Sequence, residues 1–293
     1  MTLSSIFLIL VSALLHSAWN FLSKKGNWPL EFFFWVFLWG TLIYLPFFIA
    51  FGAFPSFLVQ SPAKLWWLVV FSGLFETVYF ICLIEAYREG DLSLVYPISR
   101  SAPLFTQIWA ILFIGEILSG GGVLGIIFVM IGLFVISIKS APPLSAGSLS
   151  RHFTSRPYLL ALFAAVASSI YSVIDKVGVQ ILHPVFYIWL INFWMSVYTG
   201  LYLLLRGNNA FLSVWRDSKR EIFIIAFLQN IGYLLVLMAM QMSKVSYVVA
   251  FRQVGALFGA VMGVVLLKEG SWKSRIAGVL ILTLGLALIG LSK

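Results

Sequence analysis

The strongest constraint on this chain is the succession of apolar blocks that fills almost its whole length. A membrane-spanning helix needs about 20 mostly apolar residues, and each of ten blocks is long enough to span. They lie at residues 3–22, 30–50, 64–86, 92–114, 119–138, 157–178, 184–205, 220–241, 245–267 and 273–291. Because 61% of the residues are hydrophobic and only 10% are charged, the chain lacks the polar surface of a water-soluble fold.

Lipid cannot satisfy exposed backbone groups, so the blocks must be helices or the strands of a closed barrel. A barrel would show short segments of alternating hydrophobicity instead of long apolar runs. The sequence therefore predicts an all-α integral membrane protein with ten transmembrane helices, here called segments 1 to 10, in contact with the lipid bilayer. These segments leave no room for a separate soluble domain.

The charged residues limit the partners of the chain. The net charge is +9, but the basic residues are scattered between the apolar blocks, where helix ends meet anionic headgroups. We therefore expect no nucleic-acid partner. Cys82 is the only cysteine, which excludes an internal disulfide and a Cys/His metal cluster, and no metal is expected.

The two halves of the chain match each other when one is shifted by 153 residues. The informative pairs are Glu116 with Glu269, Gly125 with Gly278, and Gly132 with Gly285. The serine-rich stretch 140–156 contains two prolines and separates a first repeat, 1–139, from a second, 157–293. Because five helices is an odd number, the second repeat must enter the membrane inverted. Inverted-topology repeats are typical of secondary transporters, whose substrate site lies where the repeats meet.

Several short motifs recur in the same order in both halves. Segment 1 ends in HSAWNFLSKKG at 16–26, and a similar sequence, SSIYSVIDKVG, occurs at 168–178. Segments 4 and 9 are followed by GE at 115–116 and KE at 268–269. In this pattern the chain resembles the EamA branch of the drug/metabolite transporter superfamily. The resemblance implies a carrier of small metabolites, often an amino-acid exporter, that works by alternating access without a cofactor.

Ionisable residues inside the predicted spans mark the candidate site, because each costs at least about 2.5 kcal/mol to insert into a membrane. Arg100 and Arg252 are candidates to bind an anionic group of the substrate, and Glu76 to receive its amine or a proton. In the alternative interpretation, the arginines snorkel to the membrane surface or form structural ion pairs. The shift of 153 residues places Gln229 opposite Glu76. Further binding or coupling candidates are His16, Trp19, Asn20, Tyr79, Tyr96, Gln107, Tyr171, Asp175, Gln229, Asn230 and Tyr233.

Two other features concern helix geometry. Pro97 and Pro103 lie inside segment 4, so a kink or break is expected beside Arg100. Glu116 and Glu269 follow the ends of segments 4 and 9. We expect these two glutamates to cap the next helix or anchor a gate instead of contacting substrate.

Taken together, these patterns predict a secondary transporter that exports an amino acid or a related amphiphilic compound, as a monomer or weak dimer in a bacterial cytoplasmic membrane. A channel or passive pore, and a lipid-intermediate flippase, are the alternatives. The motifs of intramembrane proteases, HExxH metalloproteases and Walker A ATPases do not occur, so neither an enzyme nor an ATP-driven pump is expected.

The orientation in the membrane stays open. Loops on one side carry 13 Lys and Arg residues and the other side, with both termini, carries four. The positive-inside rule then places both termini outside, whereas the family resemblance implies cytoplasmic termini. An even number of spans puts both termini on one side in either case.

Overall fold

The structure, a computed structural model, describes residues 1–26, 28–51, 61–90, 92–138, 155–207, 210–258 and 272–292. Every regular element within these ranges is helical. The helices are α1 (Leu3–Gly26), α2 (Leu30–Phe51), α3 (Ala63–Glu89), α4 (Leu92–Ser99), α5 (Ala102–Ile114), α6 (Gly120–Ile138), α7 (Arg156–Ile181), α8 (Pro184–Leu205), α9 (Phe211–Met242), α10 (Val245–Phe251) and α11 (Trp272–Leu291).

Six of the described helices are long and apolar enough to cross a membrane, namely α1, α3, α6, α7, α8 and α9. Apolar parts of α2, of α11 and of the stretch from Val245 to Phe258 are shorter. Large apolar side chains cover the outer surface; Phe113, for example, is 73% exposed. The prediction of an all-helical integral membrane protein is confirmed, while the number of ten spans stays a prediction.

Segment 4 is broken into α4 and α5 next to Arg100, as its prolines predicted. Pro103 lies in the first turn of α5, where its missing N–H leaves no intrahelical hydrogen bond unmade. In the second half, α10 gives way to a 3₁₀ turn at Arg252–Val254. The shift of 153 residues places this turn opposite Ser99–Ser101, so both halves change helix geometry at the same point.

The helices of the two halves pack in exchanged pairs. Helix α3 packs along α7, and its equivalent α9 packs along α1. Likewise α4 and α5 contact α7, and the 3₁₀ turn after α10 contacts α1. The equivalent helices α2 and α8 contact each other, as do α6 and α11. Helices of both halves therefore pair with each other and together surround the interior.

Helices α6 and α11 meet through the four glycines that the shift of 153 residues pairs. A Cβ atom added to Gly132 would lie 2.4 Å from the backbone nitrogen of Leu282. One added to Gly285 would lie 2.6 Å from that of Val129. Such closeness is possible only where small residues let two helix backbones touch, and this explains why both repeats carry glycines here.

The helix bundle has two polar ends, here called the terminal face, which contains Met1 and Ser292, and the Arg156 face. At the terminal face, the Met1 ammonium donates to the Ser292 carbonyl oxygen at 2.9 Å, so both ends of the described chain lie together. At the Arg156 face, Arg156 forms an ion pair with Glu89. Helix α7 connects the faces: it begins at Arg156, and Lys176 near its other end donates to carbonyls of the terminal face.

Candidate functional site

A small cavity of about 40 Å³ lies between the two halves, which is space for about three water molecules. Side chains from α1, α3, α7, α8, α9 and the 3₁₀ turn surround it. The lining residues are His16, Trp19, Glu76, Tyr79, Phe80, Tyr171, Ile188, Ile191, Asn192, Met195, Gln229, Asn230, Tyr233 and Arg252. A molecule as large as an amino acid does not fit in this conformation, so binding requires the walls to move apart.

Most of the candidate residues chosen from the sequence come together at this cavity. Those that line it are His16, Trp19, Glu76, Tyr79, Tyr171, Gln229, Asn230, Tyr233 and Arg252. The sequence analysis proposed no residue of α8, which supplies Ile188, Ile191, Asn192 and Met195. Asn192, a lone amide in an apolar block, was the available signal. Its Nδ2 donates to the Asn230 Oδ1 at 2.7 Å.

Asp175 lies directly behind the cavity wall and is fully buried. Its carboxylate accepts hydrogen bonds from the hydroxyls of Ser72 and Tyr233, and from that of Tyr187 at 3.0 Å. A buried carboxylate is tolerated only when donors replace its hydration shell. Three hydroxyl donors from three helices do so here.

Glu76 lies beside Asp175 and faces the cavity. Its Oε1 atom is buried and hydrogen-bonds to no other described group. Ser72, one turn before Glu76 on α3, donates to the Asp175 carboxylate, as does Tyr233, which lines the cavity together with Glu76. Two carboxyl groups, one from α3 and one from α7, therefore meet at the junction of the halves.

The two arginines occupy different positions. The Arg252 guanidinium lines the cavity, lies 5.4 Å from the centre of the Tyr233 ring, and acts electrostatically on both carboxyl groups. Within the described ranges Arg252 forms no ion pair. Arg100 is outside the lining, with its guanidinium 5.3 Å from the Tyr96 ring centre. The positive charge at the cavity is therefore that of Arg252.

Two further polar atoms at the cavity are buried without a hydrogen-bond partner among the described groups. They are the donor Trp19 Nε1 and the acceptor Gln229 Oε1. His16 contributes another polar edge. Its Nδ1 lies 2.9 Å from the Ser12 carbonyl oxygen; because that oxygen can only accept, Nδ1 carries hydrogen and Nε2 is an acceptor in the neutral ring.

Three candidates lie away from the cavity. Asn20 donates to the His16 carbonyl oxygen at 2.7 Å, within its own helix. Tyr96 and Gln107 do not line the cavity either. The sequence analysis placed them on one face of a continuous helix, but the break at Ser99–Ser101 puts them on separate helices, α4 and α5.

The terminal face is closed by contacts between the halves. Glu116 accepts from the backbone nitrogen of Val245 at 2.6 Å and from the Ser246 hydroxyl at 2.8 Å. It thus caps the N-terminus of α10, which belongs to the other half, and not the helix that follows it in sequence. Within the second half, Lys176 donates to the Ser243 carbonyl oxygen at 3.0 Å. Glu269, for which a cap was also predicted, lies outside the described residues.

Comparison with known proteins agrees with the two-part fold. The model of the EamA-like transporter family matches residues 3–138 and again 155–291. A solved crystal structure has a TM-score of 0.75 and 17% sequence identity over 98% of this chain and 96% of that one; at this identity, the likeness concerns the fold alone. No curated protein matches the sequence significantly. Because the family model covers nearly the whole chain in two repeats, the protein belongs to the EamA-like transporter family.

Proposed function

We propose that the protein is a secondary transporter that moves a small zwitterionic metabolite, an amino acid or a close relative, by alternating access. Export across a bacterial cytoplasmic membrane is the direction that fits the family resemblance. The observation that carries this proposal is the cavity between the halves, where a buried NH donor, Trp19 Nε1, and two buried acceptors, Glu76 Oε1 and Gln229 Oε1, have no described partner. Buried polar groups are normally paired, so these atoms are suited to a polar ligand.

The chemistry of the lining supports a ligand with both charges. Arg252 and the Trp19 N–H can donate to a carboxylate, and the Glu76 and Gln229 oxygens can accept from an ammonium group. Tyr79 and Tyr171, whose ring centres are 5.8 Å apart, offer an apolar surface for the side chain of an amino acid. Ionisable side chains inside a membrane pair with one another or mark a substrate or ion pathway, and Arg252 forms no ion pair within the described ranges.

The small size of the cavity favours a carrier over a channel. A channel needs a wide, continuous path, whereas this cavity has room for about three water molecules and Glu116 joins the two halves at the terminal face. A flippase would need a route from lipid to the polar site. An apolar groove in the described part of the chain, lined by residues such as Trp109 and Phe113 of α5, contains none of the polar cavity residues.

The exchanged packing of the halves supports the proposal of alternating access. We infer two inverted repeats, 1–139 and 157–293, joined by 140–156 and contributing ten spans. Rocking of one repeat against the other would open the cavity to each side in turn. Both repeats change helix geometry at equivalent points, Ser99–Ser101 and Arg252–Val254, and the second of these points contributes Arg252 to the cavity. No bound cofactor takes part in this cycle.

The test has two stages. Purified protein is first screened by thermal shift against amino acids and related amines, because a ligand that binds the native state raises its unfolding temperature. Each stabilising compound is then tested for counterflow in proteoliposomes. We expect saturable flux with counterflow, lost in Arg252→Gln. The matched control is Arg206→Gln, which removes an exposed arginine of the Arg156 face. Flux that neither saturates nor shows counterflow would identify a channel and overturn the proposal.

A further inference from the structure

We propose that the apolar groove between α3 and α5 is a binding site for one anionic phospholipid, whose acyl chain lies in the groove and whose phosphate lies at Lys64. The groove has a volume of about 510 Å³, against about 40 Å³ for the polar cavity between the halves. The two sites share no lining residue. This lipid site is therefore separate from the proposed transport site.

The floor of the groove is α7, along which α3 and α5 both pack. The floor residues are Ile170, Val173, Ile174 and Val177. They follow one another at three- and four-residue intervals, so they lie on one face of the helix. Tyr171, which lines the polar cavity, lies on a different face of α7. The groove is thus on the side of α7 that faces away from the cavity.

The walls of the groove are apolar. They include Leu68 from α3, and Trp109 and Phe113 from α5. The one polar group of Trp109, its ring N–H, donates to the Ser169 hydroxyl at 3.0 Å and is not available to a ligand. Water is held in a protein site only where it finds polar partners. Inside a membrane, a groove with these walls is therefore filled by hydrocarbon.

The groove has the depth of one lipid leaflet. Seven positions separate Ile170 from Val177, which corresponds to about 10 Å along α7, and half of the hydrocarbon core is about 15 Å deep. The groove starts at the terminal face, where α3 begins at Ala63 and α5 ends at Ile114, shortly before Glu116. An acyl chain that enters at this face would follow the groove toward the middle of the membrane.

A positive charge marks the end of the groove at the terminal face. Lys64 lines the groove there, in the first turn of α3. Its side chain is exposed and forms no ion pair within the described ranges. Trp67, one turn further on, is 65% exposed, and exposed tryptophans are typical of the headgroup level. An ammonium group at this level attracts the phosphate of an anionic lipid.

The sequence of the second half does not repeat this combination of residues. The shift of 153 residues places Asp217 opposite Lys64, and Glu221 opposite Leu68. A carboxylate in place of Lys64 would repel a phosphate, and one in place of Leu68 would remove part of an apolar wall. We therefore expect one such lipid per chain, in contrast to the many lipids that surround any membrane protein without a fixed number.

The test is native mass spectrometry of the full-length protein. The protein is reconstituted in vesicles of equal parts phosphatidylglycerol and phosphatidylcholine with the same acyl chains, and the lipids that stay bound in detergent are counted by mass. We expect one phosphatidylglycerol per chain. Lys64→Gln should lower its preference over phosphatidylcholine about fivefold, the factor for one lysine at a lipid surface. The matched control is Lys219→Gln, which removes an exposed lysine outside the groove and should keep the preference.

A second pair of variants tests the place of the acyl chain. Ile174→Trp puts a larger side chain on the half-buried floor of the groove, so it should abolish the retention of both lipids. Phe163→Trp is the matched control; it adds a similar ring to the same helix at a position that is 61% exposed and outside the groove. Retention in Phe163→Trp should equal that of the parent.

Four results would overturn the lipid site. Absence of a retained lipid would exclude it, and equal retention of both lipids would exclude Lys64 as the group that selects the headgroup. Phosphatidylglycerol that stays bound in Ile174→Trp would place the lipid elsewhere. Pairs of chains that separate in Ile174→Trp would identify the groove as a contact with a second copy of the protein.

Discussion

Replacement of Glu116 by glutamine is the most direct test of how the terminal face is held closed. The carboxylate joins the halves through hydrogen bonds from Val245 and Ser246. Glutamine keeps one oxygen acceptor, but its NH₂ group would point at a backbone N–H, and the negative charge at the start of α10 is lost. Hydrogen bonds to charged groups contribute about 1.5–3 kcal/mol, and loss of a helix cap costs about 0.5–2 kcal/mol.

We therefore expect Glu116→Gln to destabilise the closed conformation by about 2 kcal/mol relative to one in which this face is open. A difference of 1.4 kcal/mol corresponds to about tenfold in an equilibrium constant, so the open population should rise by roughly 30-fold. The whole effect appears in this equilibrium because the contact joins the two halves and is broken when they separate.

The assay is alkylation of a single reporter cysteine, Ile191→Cys, after Cys82 has been replaced by alanine. Ile191 lines the cavity and is 1% exposed, so a water-soluble maleimide reaches it only when the cavity opens. The alkylation rate should rise roughly in proportion to the open population. Glu89→Gln is the control; it breaks an exposed pair with Arg156, worth about 0–1 kcal/mol. An alkylation rate in Glu116→Gln equal to that of the parent would refute the reasoning.

Two further experiments test helix packing, the first between the halves and the second within the second half. Gly132→Ala should lower the unfolding temperature, because its Cβ would lie 2.4 Å from a backbone atom of α11 and overpacking costs about 1–3 kcal/mol. Gly120→Ala is the control; its Cβ would have no atom within 4 Å, so the unfolding temperature should not fall. In a double-mutant cycle of Asn192→Leu and Asn230→Leu, measured by chemical unfolding in detergent, we expect a coupling energy of about 0.6 kcal/mol. Additive single effects would exclude the hydrogen bond between the two amides.

The features that were predicted correctly from the sequence depend on local composition or on the repeat. Apolar length predicted helices because lipid leaves the backbone no alternative. The prolines of segment 4 predicted the break beside Arg100, and the glycines matched between the repeats proved to be those that join α6 and α11. Each of these effects acts within one helix or between equivalent ones.

Other features depend on tertiary packing, for which the sequence holds no local signal. The 3₁₀ turn at Arg252–Val254 contains no proline and could be expected only by applying the repeat to the break at Ser99–Ser101. Tyr187 also carries no local signal, because its hydroxyl reaches Asp175 only through the packing of α8 beside α7. Glu116 was expected to cap the following helix or to anchor a gate; chain folding brings the start of α10 to it.

The cavity is asymmetric because the position of Glu76 in the first repeat is occupied by Gln229 in the second. If the two repeats contributed identical groups to the cavity, a dipolar ligand could bind equally well in two opposite orientations. Here one half carries a carboxyl and the other an amide at the same position, while the guanidinium of Arg252 comes from the second half alone. The two repeats thus enclose a cavity with a polar axis, and the two ends of a zwitterion inside it would contact different groups.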